Sequence, residues 1–119
     1  MATRLTIRLD FELGRRLGAG KIALLESIEK TGSISAAGRA HRMSYRRAWL
    51  LVEQTNAALR EPAVAATTGG HQGGGAALTA TGERVVDLYR AIERKAHKSA
   101  AEEFRAVNKL LRRSLRRTV

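Results

Sequence analysis

A mainly α-helical chain with a small β component, built as a winged helix-turn-helix with a long C-terminal dimerisation helix, is the fold class these 119 residues predict. Three observations predict it. Two short helical patterns follow one another across a tight turn before Ser44. A glycine-tipped pair of extended segments comes next, over residues 63–78. From residue 81 onward an apolar stripe then advances by three or four to the end of the chain. The length suits one domain, residues 1–119, with enough chain to hide roughly two-thirds of its unfolded surface.

The first element is a strand over residues 4–11, where Leu5, Ile7, Leu9 and Phe11 alternate with Thr6, Arg8 and Asp10. Residues 14–20 read as a loop or weak turn. A helix over residues 21–31 aligns Ile22, Leu25 and Ile28 with Leu24 beside them, and Gly32 closes it as a C-terminal cap. Ser33 caps a slim helix, 34–41, made of Ala36, Ala37, Gly38 and Ala40, whose small side chains let another helix come close. Met43 lies in the turn, and Ser44 caps a helix over 45–59 with Ala48, Leu51, Val52, Thr55 and Leu59 on one face. Glu61-Pro62 stops it, because the residue before a proline avoids helical backbone. Residues 63–78 then form the hairpin, with five glycines in the seven residues from Gly69 to Gly75. Thr79 or Thr81 caps the last helix, 81–116, whose stripe includes Val85, Leu88, Ile92, Ala96, Phe104, Val107 and Leu111. At about 1.5 Å per residue that rod is roughly 50 Å long, too long to bury against so small a body, so part of the stripe must meet another chain.

Charge sets the class of partner. Lys and Arg number 22 against 11 Asp and Glu, a net charge of +11 with a pI near 11.4. Such an excess suits a polyanion. Aromatic residues make up only 4%, too few for the stacking platforms of single-strand binders, which favours duplex DNA. With 44% hydrophobic residues the chain is too apolar to be a disordered tail. The absence of cysteine excludes disulfides, thiol nucleophiles and thiolate metal sites. No long apolar run or signal peptide is visible, so a cytoplasmic protein with no membrane association is expected. Gly18-Ala19-Gly20-Lys21 fails as a phosphate loop, since Ile22 stands where a hydroxyl would bind magnesium. No nucleophile and base, and no paired carboxylates, stand at a recognisable spacing, so no enzyme is expected. His41, His71 and His97 lie on separate elements and suggest no metal site.

The order of elements explains the residue types. The helix after Ser44 would present Ser44, Tyr45, Arg46 and Arg47 to base edges in the major groove. Arginine is suited to the paired acceptors of guanine. Four arginines and no carboxylate lie between Arg39 and Arg47, so Arg39 and Arg42 would hold phosphates. Tyr45 can face either the core or the DNA backbone, and Trp49 is read as a packing residue. Glycines at the hairpin tip would let backbone N–H groups approach a phosphate.

These residues resemble a known family. Thr31-Gly32-Ser33-Ile34-Ser35-Ala36-Ala37, Met43 to Trp49, Asn56, and Thr68 to Ala76 with Leu78-Thr79 and Gly82 are similar to the N-terminal, LysR-like winged helix-turn-helix domain of the ModE family of molybdate-responsive transcriptional regulators. The resemblance covers roughly residues 5–95. It implies DNA contacts from Ser33 and Ser35 as well as the recognition helix, and a wing from Thr68 to Gly75 in which Thr68, Gly69, Gly70, His71, Gln72 and Gly73 meet DNA. It also implies dimerisation through the first strand, with Leu5 and Ile7, and the last helix, with Leu88, Ile92, Ala96, Phe104, Val107 and Leu111. The family's turn glycine is Arg42 here, which either takes positive φ at about 1 kcal/mol or reshapes the turn. Ala66, His71 and Gln72 replace residues of the family's wing and remove charge from it. The C-terminal molybdate-binding domains of full-length relatives are expected to be absent, and with them any cofactor in this chain. A separate molybdate-sensing partner is then one route to a signal.

The function expected is that of a homodimeric, sequence-specific regulator of transcription, most simply a repressor bound to double-stranded DNA. Two rivals come from other classes: a sequence-tolerant architectural DNA-binding protein, and a protein-interaction adaptor using the long last helix.

Overall fold

The computed structural model describes residues 3–67 and 75–112. The alternation at the start leaves Leu5, Ile7 and Leu9 half-buried between exposed Arg4, Thr6, Arg8 and Asp10. Within it only β1 (Arg8–Asp10) is paired, antiparallel to β2 (Arg16–Gly18), with Leu9 opposite Leu17. Residues 14–20 are therefore not a loop: they hold a strand and the first turn of α1 (Ala19–Thr31). A three-residue strand with one large apolar side chain has no alternation to read. What forms it is the turn, where Leu13 and Gly14 both take positive φ (64° and 72°) and the Phe11 N–H donates to the Arg15 carbonyl at 2.8 Å.

The next helices end and begin as their caps dictate. Gly32 sits at φ 74°, and its N–H donates to the Ile28 carbonyl at 2.8 Å. The Ser33 hydroxyl accepts from the Ala36 N–H at the start of α2 (Ile34–Ala40), and the Ser44 hydroxyl accepts from the Arg47 N–H at the start of α3 (Tyr45–Ala58). A Cβ on Gly38 would lie 2.9 Å from that of Ala48, so the close crossing of α2 and α3 depends on a glycine. In the turn between them Arg42 does take positive φ, 58°. The turn is held by the N–H groups of His41 and Met43, both donating to the Gly38 carbonyl, and by a 2.7 Å bond between the His41 ring and Ser27 of α1.

The second sheet pairs β3 (Val64–Thr67) with β4 (Gly75–Leu78), antiparallel, in a register from Val64 opposite Leu78 to Thr67 opposite Gly75. Asn56 anchors it. Its Oδ1 accepts from the N–H groups of Ala63 (2.8 Å) and Val64 (3.1 Å), and its Nδ2 donates to the Val64 carbonyl (3.2 Å). From the other side the Ala76 N–H donates to the Gly32 carbonyl, tying β4 to the α1–α2 junction.

Thr79, not Thr81, caps α4 (Ala80–Ser99) by accepting from the Gly82 N–H, while its hydroxyl donates to the Pro62 carbonyl. Gly82, Val86 and Tyr89 face the core. The Tyr89 hydroxyl reaches the Ile7 carbonyl at 2.7 Å, and burial raises its pKa. Arg90 joins Glu26 of α1 and Glu93 at 2.6 Å each, which holds the Glu26 carboxyl below the usual carboxylate range.

The expected single rod over 81–116 is broken. The α4 helix ends at Ala100, whose φ of −101° and ψ of 15° leave helical geometry, and α5 (Ala101–Leu110) follows. Thr3 clasps both pieces, its carbonyl bonded to the His97 ring and its hydroxyl to the Asn108 amide. Leu111 is already extended, and residues 113–119 lie outside the described part.

The core draws Ile22, Leu24, Leu25 and Ile28 from α1, Ala37 from α2, Ala48, Leu51 and Val52 from α3, Val64 and Ala76 from the hairpin, and Val86 and Tyr89 from α4. Three helices, a two-stranded hairpin and a further helix in this order make a winged helix-turn-helix.

Candidate nucleic-acid interface

The α3 helix buries Ala48, Leu51, Val52 and Thr55, and that choice of inward face fixes what its first turn shows to solvent. Ser44, Tyr45, Arg46 and Arg47 are all exposed. Tyr45 faces outward with 58% of its surface accessible. Trp49, read as a packing residue, is 39% accessible and packs on Tyr45 rather than in the core. The reason is the helical step: one turn after Tyr45, it shares Tyr45's outer face, whereas Ala48 and Val52 take the inner one. Its indole N–H donates to the Tyr45 hydroxyl, and the two rings meet edge to face at 6.3 Å. The i, i+4 spacing of the two aromatics was the signal for this pair.

Around that turn the charge is all of one sign. Arg39 and Arg42 are exposed on α2 and its turn, and the Arg39 guanidinium donates to the Ser35 hydroxyl at 2.8 Å. Ser33 and Ser35 are half-buried, and the Ser33 oxygen is occupied as a cap. The wing residues Thr68, Gly69, Gly70, His71, Gln72 and Gly73 lie outside the described residues, whose hairpin stem stops at Thr67 and resumes at Gly75.

The residues expected to dimerise divide. Ile7 packs against the core and Leu5 is half-buried. Leu88 and Ile92 remain 46% and 40% accessible, on the wall of an apolar cavity of about 380 Å³ shared with Leu9, Phe11, Leu17 and Leu59. Ala96 and Phe104 are half-buried, with Phe104 beside the His97 ring, and Val107 and Leu111 are exposed. A group the sequence did not reveal is the set of basic side chains on the β1–β2 hairpin and α1 that meets Arg47 across a cleft. Among the described residues no helix is long and apolar enough to cross a membrane.

No protein-family model matches the chain. Curated proteins do. Over 80 residues the chain is 50% identical to the molybdenum-pterin-binding protein MopB of Rhodobacter capsulatus, covering 67% of this chain and 30% of that protein. Over 94 residues it is 44% identical to the molybdenum transport protein ModE of Azotobacter vinelandii, covering 77% and 35%. The chain is a homologue of the ModE family. To the DNA-binding transcriptional dual regulator ModE of Escherichia coli K12 it is 38% identical over 85 residues, 70% of this chain and 32% of that one. It thus spans about a third of the length of these ModE-type relatives.

Proposed function

We propose that this chain is a sequence-specific regulator of transcription that binds double-stranded DNA as a homodimer, most simply as a repressor occluding a promoter. The observation that carries the reading is the exposed, acid-free first turn of α3 on a helix-turn-helix. In the major groove Arg46 and Arg47 would reach guanine O6 and N7 or the flanking phosphates. Tyr45 would meet bases or backbone, its ring held by Trp49. Ser44 spends its oxygen on the cap but keeps a hydroxyl proton to donate to a phosphate. Arg39, steadied by Ser35, and Arg42, on the left-handed turn, would hold phosphates on either side, and residues Thr68 to Gly73 would follow the backbone as a wing.

A second copy suits the apolar faces left open on α4. One module of this size is small for a specific DNA interface, and a two-fold pair placing two α3 helices about 34 Å apart on a pseudo-palindrome doubles the contact. No catalysis is proposed. A link to molybdenum is carried over from the names of the relatives alone, and no cofactor site in this chain is proposed.

The rival with a specific observation behind it is sequence-tolerant DNA coating, favoured by the net charge of +11. Duplexes selected from a random pool separate the two. The regulator reading expects binding to the selected duplex at least 10³-fold tighter than to a scrambled one. Equal affinities with equal salt slopes would establish coating instead.

A further inference from the structure

A cleft of about 730 Å³ opens between the β1–β2 hairpin, the start of α1 and one side of α3. Its walls carry Arg8, Arg15, Arg16, Lys21 and Arg47 and no carboxylate. Arg8 is paired with Asp10 at 2.9 Å, but among the described residues no acid lies within ion-pair distance of the other four. The floor is apolar apart from the Gln54 amide. Glycines at 18 and 20 leave room at the mouth of α1, where Gly18 supplies no side-chain cap and the first turn holds no acid. Among the described residues the first N–H groups of that helix therefore have neither an intrahelical partner nor a side-chain one.

We infer that this cleft is an oxyanion site that seats a phosphate group between Arg16, Lys21 and Arg47. Like charges are crowded there: burial, and then the positive charge of Arg16, push the Lys21 ammonium down from its usual pKa. An anion seated among them relieves that repulsion. Lys21 uses one N–H on the Arg16 carbonyl at 3.1 Å and Arg15 one on the Glu12 carbonyl at 2.9 Å, so donors remain on both. Arg47 belongs to the first turn of α3, so a duplex phosphate held here adjoins the proposed base-reading turn. As a backbone contact the site rests on the DNA-binding reading; as a seat for a free phosphate it does not.

Two variants of the full chain test it. A Cβ on Gly20 meets nothing within 4 Å, so Gly20→Asp fits, and a carboxylate in a first helical turn favours the fold. This variant should keep or raise the thermal midpoint while filling the site with negative charge. Arg16→Gln with Lys21→Gln removes two cations. In one arm inorganic pyrophosphate is titrated while the amide signals of residues 18–21 are followed; in the other, duplex affinity is measured against salt. A duplex phosphate in the cleft means that the double variant lowers the slope of log K against log salt by about 1, at about 0.9 per phosphate, with the selected-to-scrambled ratio unchanged. A free phosphate shifts the four amides in the native chain and not in either variant, whether or not the chain binds DNA. The inference is overturned if the slope is unchanged and pyrophosphate leaves those amides still, or moves them equally in all three proteins.

Discussion

Gly82→Val is expected to cost about 3 kcal/mol or more in folding stability, read as a lowered denaturation midpoint at constant slope. A Cβ at Gly82 would overlap the carbonyl oxygen of Ala63 and lie 3.0 Å from its carbonyl carbon. Both are backbone atoms of a residue buried at the entry to β3, so neither can rotate away. The helix α4 would have to lift, and Val86 and Tyr89 follow Gly82 on the same inward face. Lifting them exposes a tyrosine that is 1% accessible and breaks its bond to the Ile7 carbonyl. Gly20→Ala is the matched control, since nothing lies within 4 Å of that Cβ and alanine is favoured in a helix by roughly 0.5–1 kcal/mol. A loss under 1 kcal/mol for Gly82→Val would mean that α4 does not rest on Ala63.

Asn56→Ala should cost about 2–4 kcal/mol, because one side chain satisfies three backbone groups at the root of the hairpin. Ala63 and Val64 are buried, so water cannot replace the lost amide without opening the sheet. Hydrogen exchange at Val64 should accelerate more than exchange in α1. Asn56→Asp keeps an oxygen that accepts from Ala63 and Val64 but sets a second carboxylate oxygen against the Val64 carbonyl, so it should not restore the native midpoint. Exchange at Val64 that accelerates no more than exchange in α1 would contradict the assignment of Asn56 as the anchor of the hairpin.

Much of the fold is legible in the sequence because caps and turns are local. Gly32, Ser33 and Ser44 mark helix ends by chemistry that acts within a few residues, and the glycine-tipped segments mark the hairpin. Leu88 and Ile92 of the apolar stripe mark the open face of α4, while Val85 packs against the core. The inner face, Gly82, Val86 and Tyr89, is hidden in the sequence because Gly82 matters for the space it leaves. The strand β2 is too short to carry a period, and the apolar stripe runs on through Ala100 without marking the break there. The candidate site shows the same division. Tyr45, Arg46 and Arg47 are contiguous and legible, and Trp49 needed the helical step to be placed. The basic cleft gathers Arg16, Lys21 and Arg47 from three elements, and only folding brings them together.

Whether the first turn of α3 reads bases is decided by one titration: Arg46→Ala against the selected duplex and against versions of it changed one base pair at a time. Direct readout predicts a loss of about 1–3 kcal/mol on the selected duplex and a flattened preference at one position, with the other positions unchanged. A uniform weakening on every sequence, scrambled duplex included, would make Arg46 a phosphate anchor and contradict base reading by this turn.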